Sequence, residues 1–400
     1  MMDYRMQLVG GLHEIEAEAW DELAEPRGLL LSHRFLLALE QTGCVGGNTG
    51  WEPCHALLWQ GDMLMAACPL YVKYHSYGEF VFDWAWADAY ARAGLDYFPK
   101  WLCAIPFTPV PGARLMARHE TARRRLLAGL LKLAAESKLS SLHLLFPDEA
   151  EAAVAREAGL LERTGVQFHW FNRGYADFDA YLSALSQAKR KKVRAERRRV
   201  RDQGLVCRVI DGAEPGALTE PVIESVWQCY VQTYRDHHSK PYLTREFFAR
   251  LGSDLAPWVL LCVAENPGGL MAMSLLLRNH PGSKATRLYG RYWGALASVP
   301  LLHFELCYYQ PIEWAIAHGI ECIEGGAQGE HKLARGFEPV PTRSLHWLAD
   351  PRFRRAVKDF LQHEGHGMAR YLDELEERNP VRQTDPLTDA LTSPSHRPRT

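Results

Sequence analysis

The chain has no CxxC pair, no apolar run long enough to span a bilayer and almost no net charge. Each absence removes a class of protein. The nine cysteines are odd in number and scattered, which argues for reduced, mostly buried thiols over a disulfide framework or a zinc site. The opening stretch, MMDYRMQLVGGLHEIEAEAW, has no basic segment leading into an apolar one, so a cytoplasmic location is expected, without secretion or a transmembrane segment. Lys and Arg number 46 against 48 Asp and Glu, so no global field steers the molecule toward nucleic acid or membrane, and any such contact must come from a local patch. GxSxG and Walker patterns are missing, and with them the usual hydrolase, kinase and dehydrogenase signatures.

What remains is an ordinary globular composition, 47% hydrophobic and 24% charged over 400 residues, enough for two domains of typical size. The C-terminal half parses clearly. LVCRVI (205–210) is a β-branched run suited to a strand, and helical apolar spacing follows over 218–237. Thr244 is an N-cap for a short helix ending near Gly252, WVLLCVAE and LMAMSLLL flank an Asn-Pro-Gly-Gly turn, and TRLYGRYWG supplies a further strand. The run LLHFELCYYQPIEWAIAHG reads as a helix kinked or broken at Pro311, closing at Gly319 before the short strand IECIE. The order is β-α-α-β-β-β-α-β, with a further strand over PTRSLHWL. The N-terminal half repeats it, from YRMQLVG through the hairpin at Gly61 and Asp62 to the helix TARRRLLAGLLKLAAESK and the strand SLHLLFP. A tandem duplication is the simplest account.

The expected division is 1–172 and 173–350 for the two domains, then a terminal helix over 351–378, interrupted at Gly365 to Gly367, and a disordered tail over 379–400. The fold class is α/β (α+β), each domain a mixed, mostly antiparallel sheet flanked by helices.

This order, twice over, resembles the GCN5-related N-acetyltransferase fold. YVKYHSYGEFVFDWAWADAYARAG, IPFTPVPGARL, LYGRYWG, LHFELCYYQ and above all EGGAQGEHKLARGFEPVPTRSLHW make the chain similar to the bacterial FemAB-like N-acyltransferases. The wider Fem group carries two such domains and moves aminoacyl groups from aminoacyl-tRNA to amines of peptidoglycan precursors. Its loop lysine and GF pair are matched here by Lys332 with Gly336 and Phe337. The long coiled-coil insertion of several Fem enzymes is missing. The resemblance implies N-acyl transfer to a small-molecule or peptide amine. Acyl-CoA is the first-choice donor, aminoacyl-tRNA the second, and no permanently bound cofactor or metal is required. A ligand-binding protein that kept the fold and lost the reaction is the alternative of another class.

N-acyl transfer needs a neutral amine, a held carbonyl and donors aimed at the oxyanion. Glu330, His331 and Lys332 are the catalytic candidates, because a carboxylate or imidazole can take the amine proton and an ammonium can hold developing negative charge. Gly326, Gln328 and Arg335 join them as substrate contacts, with His303 and Glu305 from the preceding helix; Glu324 is a rival base. Arg291, Tyr292, Trp293 and Gly294 occupy the place of the carrier-phosphate loop of the acetyltransferase fold, with Leu296 standing where Gly or Ala belongs. Asp83 and Trp86 suit an amine-bearing acceptor through carboxylate and cation-π contacts, though their helix equally reads as a domain-interface element. A run bounded by Lys189 and Arg201 holds nine cations against Glu196; on a helix Arg190, Arg194, Arg197 and Arg201 would line one face, a phosphate track for tRNA or simply a solvated surface.

Overall fold

The computed structural model describes residues 4–24, 28–327 and 329–378. The expected tail over 379–400 and Gln328 lie outside the described residues.

Local rules account for most of the elements. In the first half, strand Tyr4–Val9 leads to helices Ala17–Ala24 and His33–Gln41, and the latter is capped by the Ser32 hydroxyl accepting from the Phe35 amide. The hairpin His55–Gln60 with Met63–Cys68 turns at Gly61, whose φ of 58° is the left-handed conformation that favours glycine. Helix Glu120–Glu136 then runs into strand Ser141–Leu145. The second half follows the same order: strand Val206–Asp211, helices Glu220–Asp236 and Arg245–Leu251, hairpin Val259–Asn266 with Gly269–Arg278, strand Arg287–Ala295, a helix over 302–317 that contains a π-turn, and strand Cys322–Ala327.

The two halves exchange their last strands. Leu161–Phe171, the end of the first half, pairs antiparallel with Cys322–Ala327 of the second. Glu338–Leu348, the end of the second half, pairs antiparallel with Ser141–Leu145 of the first. These two strands also pair with each other, from Glu338↔His169 to His346↔Leu161, so a single eleven-stranded sheet crosses both halves. Helices pack on its two faces over three large apolar clusters.

Two features depart from the expected elements. Pro311 does not end its helix. Its missing N–H would leave a gap in the i→i−4 ladder, and the turn widens just before it into a π-helix, Glu305–Tyr309, after which Gln310–Ala317 continues as α-helix. The terminal helix, Pro351–Glu377, runs unbroken through Gly365 and Gly367. Each glycine costs about 1 kcal/mol there. Val357 and Leu361 are buried against Trp86 and Tyr90 of the first half, and Leu375 in the cluster of the second, so tertiary packing carries the helix across both.

One geometric feature positions the site. Strands Arg287–Ala295 and Cys322–Ala327 run parallel for three rungs, Arg287↔Cys322 to Tyr289↔Glu324, and then part. The matching strands of the first half, Lys100–Cys103 and Ser141–Leu145, also share three rungs. There the chain itself closes alongside: Gly112 bridges to Pro147, its neighbours Val110 and Ala113 are buried, and the Glu151 carboxylate accepts from the Arg114 and Leu115 amides at 2.6 and 2.9 Å. The second half's gap is open.

Candidate active site

The open gap is a pocket of about 600 Å³. One wall is strand Arg287–Ala295. It carries a bulge at Arg291, since Tyr292 opposes Leu275 while Gly290 opposes Leu276. The other wall is the end of Cys322–Ala327 and the 3₁₀ turn Glu330–Arg335, and the roof is the π-helix with Cys307 and Tyr308. Glycine is demanded at two positions. A Cβ on Gly325 would lie 2.9 Å from the Phe168 carbonyl oxygen and 3.2 Å from the Lys332 side chain, and Gly329 holds φ at 107°.

Lys332 and His331 are the polar groups of this wall. The Lys332 ammonium donates to the Gly326 carbonyl at 3.2 Å, and the residue is only 5% exposed. Burial pulls its pKa down to about 8. His331 shares a hydrogen bond with the Tyr308 hydroxyl, Nε2 to Oη 2.8 Å, and burial followed by the Lys332 charge lowers its pKa, keeping the ring neutral near pH 7. His303, edge-on to Trp293, is pushed down to about 4 by burial. Burial raises the Cys307 thiol to about 12, so it stays protonated and is no nucleophile. The pocket thus presents a neutral imidazole able to take a proton, an ammonium able to face an oxyanion, and strand amides at a bulge.

The turn is held from behind by the basic helix Gln187–Arg201. Its single acid, Glu196, is buried and accepts from Arg335 at 3.0 Å and from the Tyr309 hydroxyl. The Arg335 guanidinium lies 3.5 Å from the Phe304 ring centre. Arg197 grips Glu305 of the π-helix at 2.9 Å and Glu313 at 2.7 Å.

The family model FemAB-like, peptidoglycan biosynthesis/recognition, matches residues 11–383. The chain belongs to the FemAB-like family. That makes it a transferase of the acyl and aminoacyl kind. Among solved structures, the C-terminal domain of a protein named as a lysylphosphatidylglycerol synthetase from Agrobacterium fabrum shares 9% identity at a TM-score of 0.53, over 86% of this chain and 95% of its own. FemX shares 9% identity at a TM-score of 0.50, over 86% and 98%. At such identity both likenesses speak for the fold. No curated protein matches the chain by sequence. Among the described residues no helix is long and apolar enough to cross a membrane.

Within this FemAB-like site, only some of the expected residues come together. His331, Lys332, His303, Arg291, Tyr292 and Trp293 line the pocket, and the Gly326 carbonyl holds Lys332 beside it. Arg335 and Glu305 are buried anchors in the ion pairs with the basic helix and do not line the pocket. Glu330 points outward, its carboxylate bound by Tyr371 at 2.9 Å and Arg378 at 3.0 Å from the terminal helix and the turn after it. Asp83 and Trp86 stay in the first half. Asp83 is buried on Lys100 and accepts from Tyr97 at 2.6 Å, and Trp86 packs edge-on to His346. Arg291 to Gly294 do not form a loop at a helix start, because all four lie in the strand. A Cβ on Gly294 would meet the Cys229 carbonyl oxygen at 2.1 Å, so that glycine serves the packing of helix Glu220–Asp236. The basic track loses Arg197 to its carboxylates, and Arg194 pairs with Asp179. Sequence reasoning passed over Tyr308 and Cys307, although Pro311, the signal for a distorted turn, stands just beyond them.

Proposed function

We propose that the chain transfers an aminoacyl group from a charged tRNA to an amine of a peptidoglycan-related acceptor. The observation that carries this reading is the open strand gap, with Lys332 and His331 in one wall. A second pocket, about 370 Å³, lies between the exchanged strands and the terminal helix, and Gly329 lines both pockets. A donor ester in the first and an acceptor amine in the second would meet at that glycine. The amine nitrogen attacks the ester carbonyl, its proton passes to the neutral His331 ring, and Lys332 faces the oxyanion. As the amide forms, the C–O bond breaks and the leaving hydroxyl takes the proton from His331. Holding the reactants together is worth about 7–11 kcal/mol of barrier.

The choice of tRNA over acyl-CoA rests on the region past the strand end, where a carrier pyrophosphate would lie. That cavity of about 480 Å³ has Asp236 and, among the described residues lining it, neither lysine nor arginine. The helix beyond it begins after Pro300, which offers no N–H, and Leu301 is left-handed with φ of 70°. The basic helix, in contrast, braces the catalytic turn and keeps Lys191, Arg198, Arg199 and Arg201 exposed to solvent.

The test offers the purified protein a panel of charged tRNAs and, separately, of acyl-CoAs, with peptidoglycan-precursor peptides as acceptors. Amide product is expected from charged tRNA, abolished by ribonuclease and weakened steeply between about 50 and 200 mM salt. Product from acyl-CoA with none from tRNA overturns the proposal.

A further inference from the structure

Beyond the pocket, on the opposite face of the same strand, three side chains converge that the reaction does not use. Cys322 and Glu324 are two residues apart on strand Cys322–Ala327, so they share a face, while Ile323 between them points into the pocket. His169 stands directly across the ladder from Glu324. All three are buried, and their donor atoms lie within 4.8 Å of one another. Glu324 Oε2 finds no hydrogen-bond partner among the described residues, although the residue is 4% exposed, and His169 Nε2 faces it at 4.0 Å, too far for a hydrogen bond.

A buried carboxylate oxygen is ordinarily bonded, because leaving it bare costs at least about 1–3 kcal/mol. Here the bare oxygen, an imidazole nitrogen and a thiol surround one point. We propose that His169, Cys322 and Glu324 bind a divalent cation of borderline softness, of the zinc type. Such an ion takes nitrogen and oxygen at about 2.0–2.2 Å and thiolate sulfur at about 2.3 Å. Donors on that sphere stand nearer together than 4.8 Å, so side-chain shifts of about 1 Å close the site. The amide oxygen of Gln167, 3.3 Å from His169 Nε2, is the neutral fourth donor. On binding, the thiol releases its proton to solvent and the imidazole ligates through a nitrogen freed of hydrogen.

Three cations face the cluster: Arg287, Arg114 and Lys332, whose charge reaches the His169 ring from the catalytic turn. Arg287 donates to Glu324 Oε1 at 3.1 Å, and this oxygen is not the bare one. With the ion on Oε2, the carboxylate would bridge ion and guanidinium, the outer contact that metal-binding carboxylates usually have. Arg114, fully buried, is the second, and its charge is opposed by the thiolate and carboxylate that the bound form creates. The ion would join the exchanged strand Leu161–Phe171 to the strand that leads into the catalytic turn, at the last rung before the gap opens.

The test uses the full chain, stripped with a chelator and titrated with Co²⁺ and Zn²⁺. One Co²⁺ per chain is expected, with a sulfur-to-metal charge-transfer band that Zn²⁺ displaces. Because the chain has 17 histidines and 9 cysteines, the decisive comparison is with Cys322→Ser and Glu324→Gln. Cys322→Ser should abolish the band, and Glu324→Gln should weaken binding by about tenfold or more, the loss typical even of an outer partner. Circular dichroism of both stripped variants should match the stripped parent. A band that survives in Cys322→Ser, or a parent that binds no Co²⁺ with a sulfur band, overturns the proposal. If a variant misfolds, His169→Asn in its place must show the same loss.

Discussion

Lys332 is charged in a place that disfavours charge, and this gives its substitution an opposite effect on stability and on rate. Its pKa falls from 10.5 to about 8 because burial strips water from the ammonium. Between pH 8 and 10.5 the unfolded chain therefore holds a proton that the folded chain has lost, so stability rises with pH through that window, and below it the folded state carries the full desolvation cost. Lys332→Met keeps the aliphatic stem and removes the charge. The variant should be more stable than the parent at pH 7 by urea unfolding and should lose the alkaline rise. Its turnover should fall by about 10²–10³-fold, the cost of losing one oxyanion donor. In the parent, kcat/KM should decline above about pH 8 as the ammonium deprotonates. Two neighbours should separate as sharply. His331→Ala is expected to lower kcat by about 100-fold or more. Glu330→Gln, which alters only exposed contacts to Tyr371 and Arg378, should leave rate and stability nearly unchanged.

The basic helix shows how one element can carry two messages. Read by charge it is a solvated or phosphate-binding surface. Read by spacing, Val193, Glu196, Arg197 and Val200 form an inward stripe, and the structure confirms it: Val193, Glu196 and Val200 are buried, and Arg197 is clamped between Glu305 and Glu313. That stripe was legible in the sequence, and the density of cations hid it. The partner of Glu196 was not legible, because Arg335 lies 139 residues away and its role depends on the turn that Gly329 and Gly336 create. Removing one member of such a buried pair leaves an uncompensated charge. Glu196→Ala should therefore cost about 3–5 kcal/mol in chemical denaturation. Glu196→Ala with Arg335→Met should regain most of that stability while the turn stays misplaced and turnover stays low, which separates a positioning role from a purely structural one. The site itself was half legible for a related reason. The GEHK run marked the wall, but its side chains point two ways, His331 and Lys332 to the pocket and Glu330 to the terminal helix, and periodicity says nothing of direction inside a 3₁₀ turn.

At the scale of the molecule, the repeated order of elements was readable twice over because each strand and helix follows from its own spacing and caps. The exchange of strands was not readable. LERTGVQFHWF declares a strand by its composition, but nothing local distinguishes a neighbour in its own half from one 150 residues on. The consequence is that each half lacks the strand that completes its sheet. A chain ending at 172 would leave Ser141–Leu145 without Glu338–Leu348, and Leu161–Phe171 without either partner. A chain beginning at 173 would leave both Cys322–Ala327 and Glu338–Leu348 unpaired along the missing strand. Such open edges are templates for aggregation. Expressed alone, residues 1–172 and 173–400 should each be insoluble or unfold without a cooperative transition. Expressed together, they should form a soluble one-to-one complex that melts cooperatively, because the exchanged strands can pair across the cut as they do in the intact chain. A soluble, cooperatively melting 1–172 fragment would show that the exchanged pairing is dispensable and that each half closes its own sheet.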